Sequence, residues 1–522
     1  MTTPFASQVK SAVAVARAGL LAERPDRLAR AAVALLPWGA TLAGGLAAAT
    51  ARYPMATAIR DDLGDLSYAS LWVSSDNLAR GLAERGIGRG TVVGILARNH
   101  RGFVRSMVGA SKLGADLVFL NTGFAGPQLA DVVIHEGIEA ILYDDEFAPL
   151  VEESGVSLAV SESEMSELAA SWSLRPSWPQ RHQGAMVILT SGTTGRPKGA
   201  RRSGLRGAST AGAIFDIIPA RARDTVAITA PLFHAWGLSN LGIALALSAT
   251  VLLRRAFDPE VVLEDISRHR ADGLIVVPVL LQRVVNLSTE VFDDYDTSSL
   301  RYIASSGSAL GGPLATAAMN RFGPIVHNIY GSTEVALAAA AGPDDLLAAP
   351  TTAGKPPLGT TLRVVTEDGR DARPGESGRV FVANAAGFDG YTGGGTKEAL
   401  DGLMATGDVG HLDEDGRLFI DGRDDDMIVS GGENVYPAEI EELLAGHPGI
   451  EDAAVVGVED AEYGTRLKAL VVRAPQAKVN ESDVRAYVRS HLARYKVPRE
   501  VVFVDEVPRT TTGKLRRADL PR

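Results

Sequence analysis

Ile188-Leu189-Thr190-Ser191-Gly192-Thr193-Thr194-Gly195-Arg196-Pro197-Lys198-Gly199 is the stretch on which the reading of this chain turns. The apolar run before it, Met186 to Leu189, has the length and composition of a buried strand. The run stops abruptly in hydroxyls and glycines. Glycines let a backbone turn tightly with its N–H groups pointing inward. Ser191, Thr193 and Thr194 add hydroxyl donors, and Lys198 adds a positive charge. Such a loop suits an anion with several oxygens, a polyphosphate above all. A flexible linker uses the same residue types, but it needs neither a preceding strand nor a Pro-Lys-Gly ending. The Walker A loop requires Gly-x-x-x-x-Gly-Lys-Ser/Thr. Here Lys198 lies between Pro197 and Gly199, and the other comparable lysine, Lys514 of Gly513-Lys514, precedes Leu515, so the spacing excludes it.

Outward from this loop, the chain alternates apolar strands with helical patterns. Val92–Leu96, Asp116–Leu120, Glu139–Tyr143, Thr225–Thr229, Ile275–Val277, Tyr302–Ala304 and Ile325–Ile329 read as strands. Ser67–Gly86 and Phe103–Leu113 read as helices. This rhythm predicts an α/β fold with largely parallel sheet. Between Gly359 and Val382 the period shortens toward two, with turns at Glu367-Asp368-Gly369 and Pro374-Gly375-Glu376, which predicts a β-rich subdomain. The pattern restarts beyond Asp424–Asp426. A helix is expected over Val435–Leu444, strands over Ala453–Val458, Lys468–Val472 and Val501–Val504, and a helix over Ser482–Ala493. These last hundred or so residues fit a separate small α+β domain. The expected division is therefore an N-terminal helical extension (1–41), a large domain (42–423) and a small mobile domain (424–522).

Composition narrows the function. At 522 residues the chain is too long for one core, and 46% hydrophobic with 22% charged residues is ordinary for a globular protein. Its 52 basic and 63 acidic residues give a net charge of −11, which disfavours a bulk nucleic-acid binder. The absence of cysteine removes disulfides, thiolate nucleophiles and cysteine-ligated zinc, so any thiol chemistry must come with a substrate. The nine histidines show no His-Glu-x-x-His spacing. Lys10, Arg17, Arg24, Arg27 and Arg30 break up the N-terminus, and no secretory h-region stands out. Residues 31–51 are uncharged, but Pro37, Gly39, Gly44 and Gly45 favour a surface-packed helix from Leu42 over a membrane span. The expected location is cytoplasmic. The basic helices of residues 5–36 are a candidate for peripheral membrane contact, and an oligomer is left open.

Six motifs occur in order: Leu189–Gly199, Tyr330–Glu334, Thr406-Gly407-Asp408, Gly422-Arg423, Gly431–Pro437 and Pro508–Lys514. Together they resemble the adenylate-forming superfamily of acyl-CoA synthetases, peptide-synthetase adenylation domains and beetle luciferases, and within it the fatty acyl-CoA ligases. The resemblance covers about residues 42 to 517. It implies that a carboxylate attacks the α-phosphate of Mg-ATP, giving an acyl-adenylate and pyrophosphate, and that the thiol of coenzyme A then displaces AMP. A mixed anhydride with AMP supplies the leaving group a carboxylate lacks, so the protein's task is orientation and charge stabilisation.

By the same resemblance, the loop Thr190, Ser191, Gly192, Thr193, Thr194, Gly195 and Lys198 takes the β- and γ-phosphates. Tyr330 stacks on adenine, Gly331 permits close approach, Gly307 lies in the nucleotide site, and Thr333 hydrogen-bonds the α-phosphate. Glu334 holds Mg2+, an ion that prefers carboxylate oxygen. Asp408 accepts both ribose hydroxyls and Arg423 reaches the same ribose. His234, in Pro231-Leu232-Phe233-His234, borders the acyl pocket. Lys514 bridges carboxylate and α-phosphate in the first step. The small domain then turns about a hinge at Asp425, and the loop Ser430, Gly431 and Gly432 replaces Lys514 and lines a channel for pantetheine. The hinge sits in an Asp424-Asp425-Asp426 run where many relatives carry lysine. Small and leucine side chains around 234–248 and 307–317 lead to the expectation of a medium- or long-chain fatty acid. The alternatives are an aryl or steroid-side-chain acid, an acyl-AMP ligase serving a carrier protein, and an acyl-adenylate binder without catalysis.

Overall fold

The computed structural model describes the chain apart from residues 1–3, 20–22, 172–181, 192–196, 203–207, 367, 385–387, 424–427, 431, 436, 446, 461–463, 509–519 and 522. Two largely parallel sheets form the large domain, as the alternation predicts. The six-stranded sheet holds Leu158–Ser161, Ala140–Tyr143, Val92–Leu96, Asp116–Phe119 and Met186–Ser191 as parallel neighbours. The eight-stranded sheet has a parallel run of Thr57–Asp61, Thr250–Leu252, Thr225–Ile228, Gly273–Val276, Tyr302–Ser305 and Val326–Ser332. Their Val, Ile and Leu side chains are almost wholly buried, as a parallel sheet covered on both faces requires.

Each parallel run ends in an antiparallel hairpin. In the six-stranded sheet Met186–Ser191 turns back into Pro197–Arg202, with Thr190 opposite Lys198 and Leu189 opposite Gly199. In the eight-stranded sheet Val326–Ser332 turns back into Ala336–Ala341. The period-two segment is a five-stranded sheet containing Thr361–Val365, Gly378–Ala383, Leu403–Leu412 and Leu418–Arg423. Helix Tyr68–Glu84 starts where Ser67 caps it, its hydroxyl accepting from the Ser70 N–H.

The small domain packs helices Pro437–Ala445 and Glu481–His491 on a sheet of Ile450–Asp460, Gly464–Arg473 and Glu500–Phe503. The strands Ile450–Asp460 and Gly464–Arg473 run longer than in the sequence reading, and one boundary differs in element type. Val435 does not open the helix; it ends a strand, Glu433–Val435, that pairs with Ile428–Ser430. Pro437 explains the shift, because proline is favoured at the first helical position and holds the residue before it away from α geometry. The expected hinge, Asp425, lies outside the described residues.

The N-terminal segment forms helices Pro4–Arg17 and Pro25–Leu35, followed by Leu42–Arg52. Pro4–Arg17 packs against helix Ala208–Ile217 of the large domain, and the Ala222 N–H donates to the Ala18 carbonyl at 2.7 Å. Among the described residues no helix is long and apolar enough to cross a membrane.

Candidate active site

The carboxyl ends of the parallel strands converge on one region, where open α/β sheets hold their ligands. Strand Met186–Ser191 leads to the stretch expected to hold phosphate. From the eight-stranded sheet, Thr225–Ile228 leads to His234, Gly273–Val276 to Val277, Tyr302–Ser305 to Gly307, and Val326–Ser332 to Thr333 and Glu334.

The stretch expected to hold phosphate lies between two antiparallel strands, Met186–Ser191 and Pro197–Arg202. The Thr190 hydroxyl donates across the hairpin to the Lys198 carbonyl at 3.2 Å. Gly192, Thr193, Thr194 and Gly195 lie outside the described residues, and Ser191 is described in its backbone alone. The return strand is clamped from behind. Glu136 Oε1 accepts from the Gly199 N–H at 3.2 Å and from the Thr392 hydroxyl at 2.9 Å, and the Thr392 N–H donates to the Gly199 carbonyl at 2.9 Å. A Cβ at Gly199 would lie 2.5 Å from Glu136 Oε2 and 2.6 Å from both Thr392 Oγ1 and Val187 Cγ1. The Lys198 ammonium stands 5.6 Å from the ring centroid of Tyr391.

Tyr391 connects this hairpin to the other. Its hydroxyl donates to Glu334 Oε1 at 2.9 Å. The Ser332 hydroxyl donates to Glu334 Oε2 at 2.9 Å and accepts from the N–H groups of Glu334 and Val335, each at 3.2 Å. Glu334 is buried, and both carboxylate oxygens are thus oriented by hydroxyl donors. Its carboxylate, with the adjacent Thr333 hydroxyl, is a hard oxygen donor set of the kind Mg2+ takes while keeping water and phosphate in its shell. Among the described residues, the cluster with metal-ligand spacing is instead His100, Asp144 and Glu162. The guanidinium of Arg255 already occupies it, 3.5 Å from Asp144 and 3.2 Å from His100, and bonded to Glu162.

The Tyr330 hydroxyl donates to Asp408 Oδ2. Asp408 is buried, and its N–H donates to the Thr406 hydroxyl at 3.0 Å. Asp408 and Arg423 face each other on neighbouring antiparallel strands; the Arg423 side chain is outside the described residues. Gly331 allows a close approach, but the approaching group is the chain itself. A Cβ there would lie 1.7 Å from the Ala336 carbonyl, at the bulge between Tyr330 and Gly331.

On the opposite side the small domain meets the site. His234 precedes helix Ala235–Ala246, and its Nε2 lies 3.0 Å from Glu433 Oε1. Burial disfavours the charged imidazole, but the Glu433 charge and hydrogen bond outweigh it, and the His234 pKa is held above its ordinary value. Val277 fills the space between two glycines. A Cβ on Gly307, at φ +101°, would be 3.4 Å from Val277 Cγ1, and one on Gly432, at φ +84°, would be 3.8 Å from Val277 Cγ2 and 3.6 Å from Val279 Cγ1. The Trp236 indole donates to the Val276 carbonyl at 3.1 Å. Two further contacts seat the small domain: the Ala493 N–H donates to Gln128 Oε1 at 3.0 Å, and the Arg494 N–H to the Gly123 carbonyl at 3.1 Å. Ser430, paired with Glu433, and Gly432 therefore stand beside His234, whereas Lys514 and Gly431 lie outside the described residues.

Helix Ala235–Ala246 is less open than its composition suggests. Leu238, Leu241, Ala244 and Leu245 are all buried in the central core. The cavity between this helix and Ala208–Ile217, lined by Ile214, Asn240 and Ile243, measures about 20 Å3. That is close to the roughly 10–15 Å3 a single water requires.

Sequence reasoning missed Glu136, Val277, Tyr391 and Glu433. Glu433 alone had a signal, its place in the Gly431–Pro437 motif. The others are ordinary residues brought in by pairing of distant strands and turns.

The AMP-binding enzyme family model matches residues 46–392, and the model of the AMP-binding enzyme C-terminal domain matches residues 439–514. An indoleacetate–CoA ligase of Aromatoleum aromaticum is 34% identical over 488 residues, covering 90% of this chain and 95% of that protein. A feruloyl-CoA synthase of an Amycolatopsis species is 33% identical, covering 90% and 96%. Other relatives at 30–33% identity are named for succinylbenzoate, for a fatty acid joined to an acyl carrier protein, and for long-chain fatty acids. Among solved structures, the amide bond synthetase McbA of Marinactinospora thermotolerans superposes with a TM-score of 0.81 at 29% identity, covering 94% of this chain and 98% of its own. Two family models that between them take in both domains, and relatives alike over nine-tenths of the chain, agree with the converging strand ends: the chain belongs to the AMP-binding enzyme family of adenylate-forming ligases.

Proposed function

We propose that this AMP-forming acid–CoA ligase, which uses ATP, Mg2+ and CoA, activates a compact aromatic or arylalkanoic acid. The observation that carries the acid class is the likeness, over 90% of this chain, to relatives named for indoleacetate and ferulate. Leu238, Leu241, Ala244 and Leu245 of helix Ala235–Ala246 serve the core, so their small and apolar character does not mark a channel for an alkyl chain. The expectation of a fatty acid rested on small side chains here and around 307–317.

In this reading the Thr190–Lys198 hairpin binds the β- and γ-phosphates, Tyr330 and Asp408 hold the adenosine with Arg423, and Thr333 contacts the α-phosphate. Glu334 would hold Mg2+, which supplies charge neutralisation of the phosphates. A carboxylate oxygen forms a bond to the α-phosphorus as pyrophosphate leaves, with Lys514 bridging the two. The CoA sulfur then bonds the acyl carbon as AMP leaves. The contact of Gly432 and Glu433 with Val277, Val279 and His234 supports an arrangement for this second step, with the hairpin where Lys514 stands in the first.

The test is a panel of acids assayed for CoA thioester with ATP present. Indoleacetic and cinnamic acids should exceed octanoic to hexadecanoic acids in kcat/KM. Faster turnover of the long alkyl acids would refute the acid class, and adenylate accumulating without thioester would refute the acceptor. A second reading, favoured by the likeness to McbA, replaces the thiol by an amine. Amide forming from added amines in the absence of CoA would select it.

A further inference from the structure

On the far side of the large domain, Arg27, Arg30, Arg52, Tyr53, Met55 and Arg223 line a pocket of about 390 Å3. Arg27 and Arg30 lie on helix Pro25–Leu35, Arg52 ends helix Leu42–Arg52, and Arg223 stands just before strand Thr225–Ile228. Segments remote in sequence thus bring four guanidinium groups together in a chain of net charge −11. The guanidinium carbons of Arg27 and Arg223 lie 4.5 and 4.4 Å from the Tyr53 ring centroid.

The arginines are incompletely answered. Glu23 lies 3.5 Å from Arg27 and accepts the Tyr53 hydroxyl, and Asp26 pairs with Arg30 at 2.9 Å. Arg52 and Arg223 form no ion pair among the described residues. Arg52 is 6% exposed; its Nη2 donates to the Ala246 carbonyl, and its Nε, buried, has no hydrogen-bond partner. Four guanidinium groups facing the carboxylates of Glu23 and Asp26 leave the pocket with an excess of positive charge, which favours an anion supplied from outside. Guanidinium forks match the several oxygens of a phosphate group.

The pocket is separate from the active site. Ala246 ends the 12-residue helix that His234 precedes. At 1.5 Å per residue the two lie roughly 18 Å apart.

We propose that this pocket binds a phosphate group, carried either by a soluble phosphomonoester or by a phospholipid headgroup. Exposed Met55, Leu36 and Val33 belong to the same N-terminal region and would face the second source.

The experiment has two arms on the full chain. Calorimetry with inorganic phosphate reads the soluble source. Co-sedimentation with phosphatidylcholine vesicles, with and without phosphatidic acid, reads the headgroup. The comparison is with the double variant Arg27→Gln, Arg223→Gln, whose acid-dependent pyrophosphate release should equal that of the parent. Phosphate affinity, or retention by phosphatidic acid vesicles, should fall about tenfold or more in the double variant. Phosphate held only by the Thr190–Lys198 hairpin would bind both proteins alike. Equal behaviour of parent and variant in both arms overturns the proposal. If the double variant does not fold, Arg27→Gln alone decides by the same readings, since Arg27 is on an outer helix without buried residues.

Discussion

Replacing Tyr391 by phenylalanine tests whether Glu334 acts through a metal ion. The substitution removes one hydroxyl and keeps the ring, with its contacts to Lys198 and, at 4.8 Å between centroids, to Phe388. The lost interaction is an O–H donated to Glu334 Oε1 at 2.9 Å. A hydrogen bond to a charged group contributes about 1.5–3 kcal/mol. Tyr391 is half-buried, which favours the lower end, and about 1.4 kcal/mol is tenfold in an equilibrium constant. Loss of a group that orients a metal ligand costs about 10–100-fold in metal affinity, in accord with that figure. The assay is acid-dependent pyrophosphate release at fixed ATP across a Mg2+ titration. The midpoint should move to about tenfold higher Mg2+, with the rate largely restored at saturation. A lowered rate with an unmoved midpoint would refute the reasoning. It would mean that Tyr391 orders the phosphate hairpin through Lys198 and Thr392, not through Glu334. An unchanged titration would mean that the hydroxyl has no part in the site.

Three further perturbations address the rest of the arrangement. Gly199→Ala forces a methyl against Glu136, Thr392 and Val187 at 2.5–2.6 Å and should cost about 1–3 kcal/mol in urea unfolding, with a raised KM for ATP; unchanged stability would show that the Glu136 clamp yields freely. Glu433→Gln removes the counterweight to burial at His234, so the imidazole pKa should fall in an NMR titration. In the parent the pair stabilises the docked hairpin fully below the ordinary value of 6.5, and this is lost as pH rises through the raised value; the variant should lose that pH dependence, and an unmoved titration would exclude the contact. Lys514→Ala should cripple adenylation yet spare thioester formation from supplied acyl-adenylate, and equal loss in both half-reactions would contradict its role.

How far this molecule could be read from its sequence depends on where the information lies. Met186–Ser191 was legible because a continuous apolar run of strand length ends in hydroxyls and glycines, and Val326–Ser332 because Ile325, Val326 and Ile329 lead into the Tyr330–Glu334 motif. Their partners were not. Pro197–Arg202 carries three basic residues and no apolar face, and it is a strand because Glu136 and Thr392 hold Gly199 against Leu189. Ala336–Ala341 is nearly all alanine, the strongest helix former. It is a strand because the Gly331 bulge admits the Ala336 carbonyl and sets the register with Tyr330. Tertiary pairing overrides propensity in both, and both lie at the edge where parallel order ends. That edge is also where the proposed site sits. A parallel strand delivers its carboxyl-end loop to a common crevice, but it takes a reversal to turn Lys198 and Glu334 back toward each other, with Tyr391 between them. The loops that follow parallel strands announce themselves in sequence, since they must be glycine-rich and hydroxylated to receive phosphate. The groups that close the crevice, Tyr391 and Glu433, need only one polar atom at the right place, which many sequences supply. A site of this design is therefore legible on its fixed wall and silent on its closing parts, and substitutions at Tyr391 and Glu433 carry more information than further changes within the motifs.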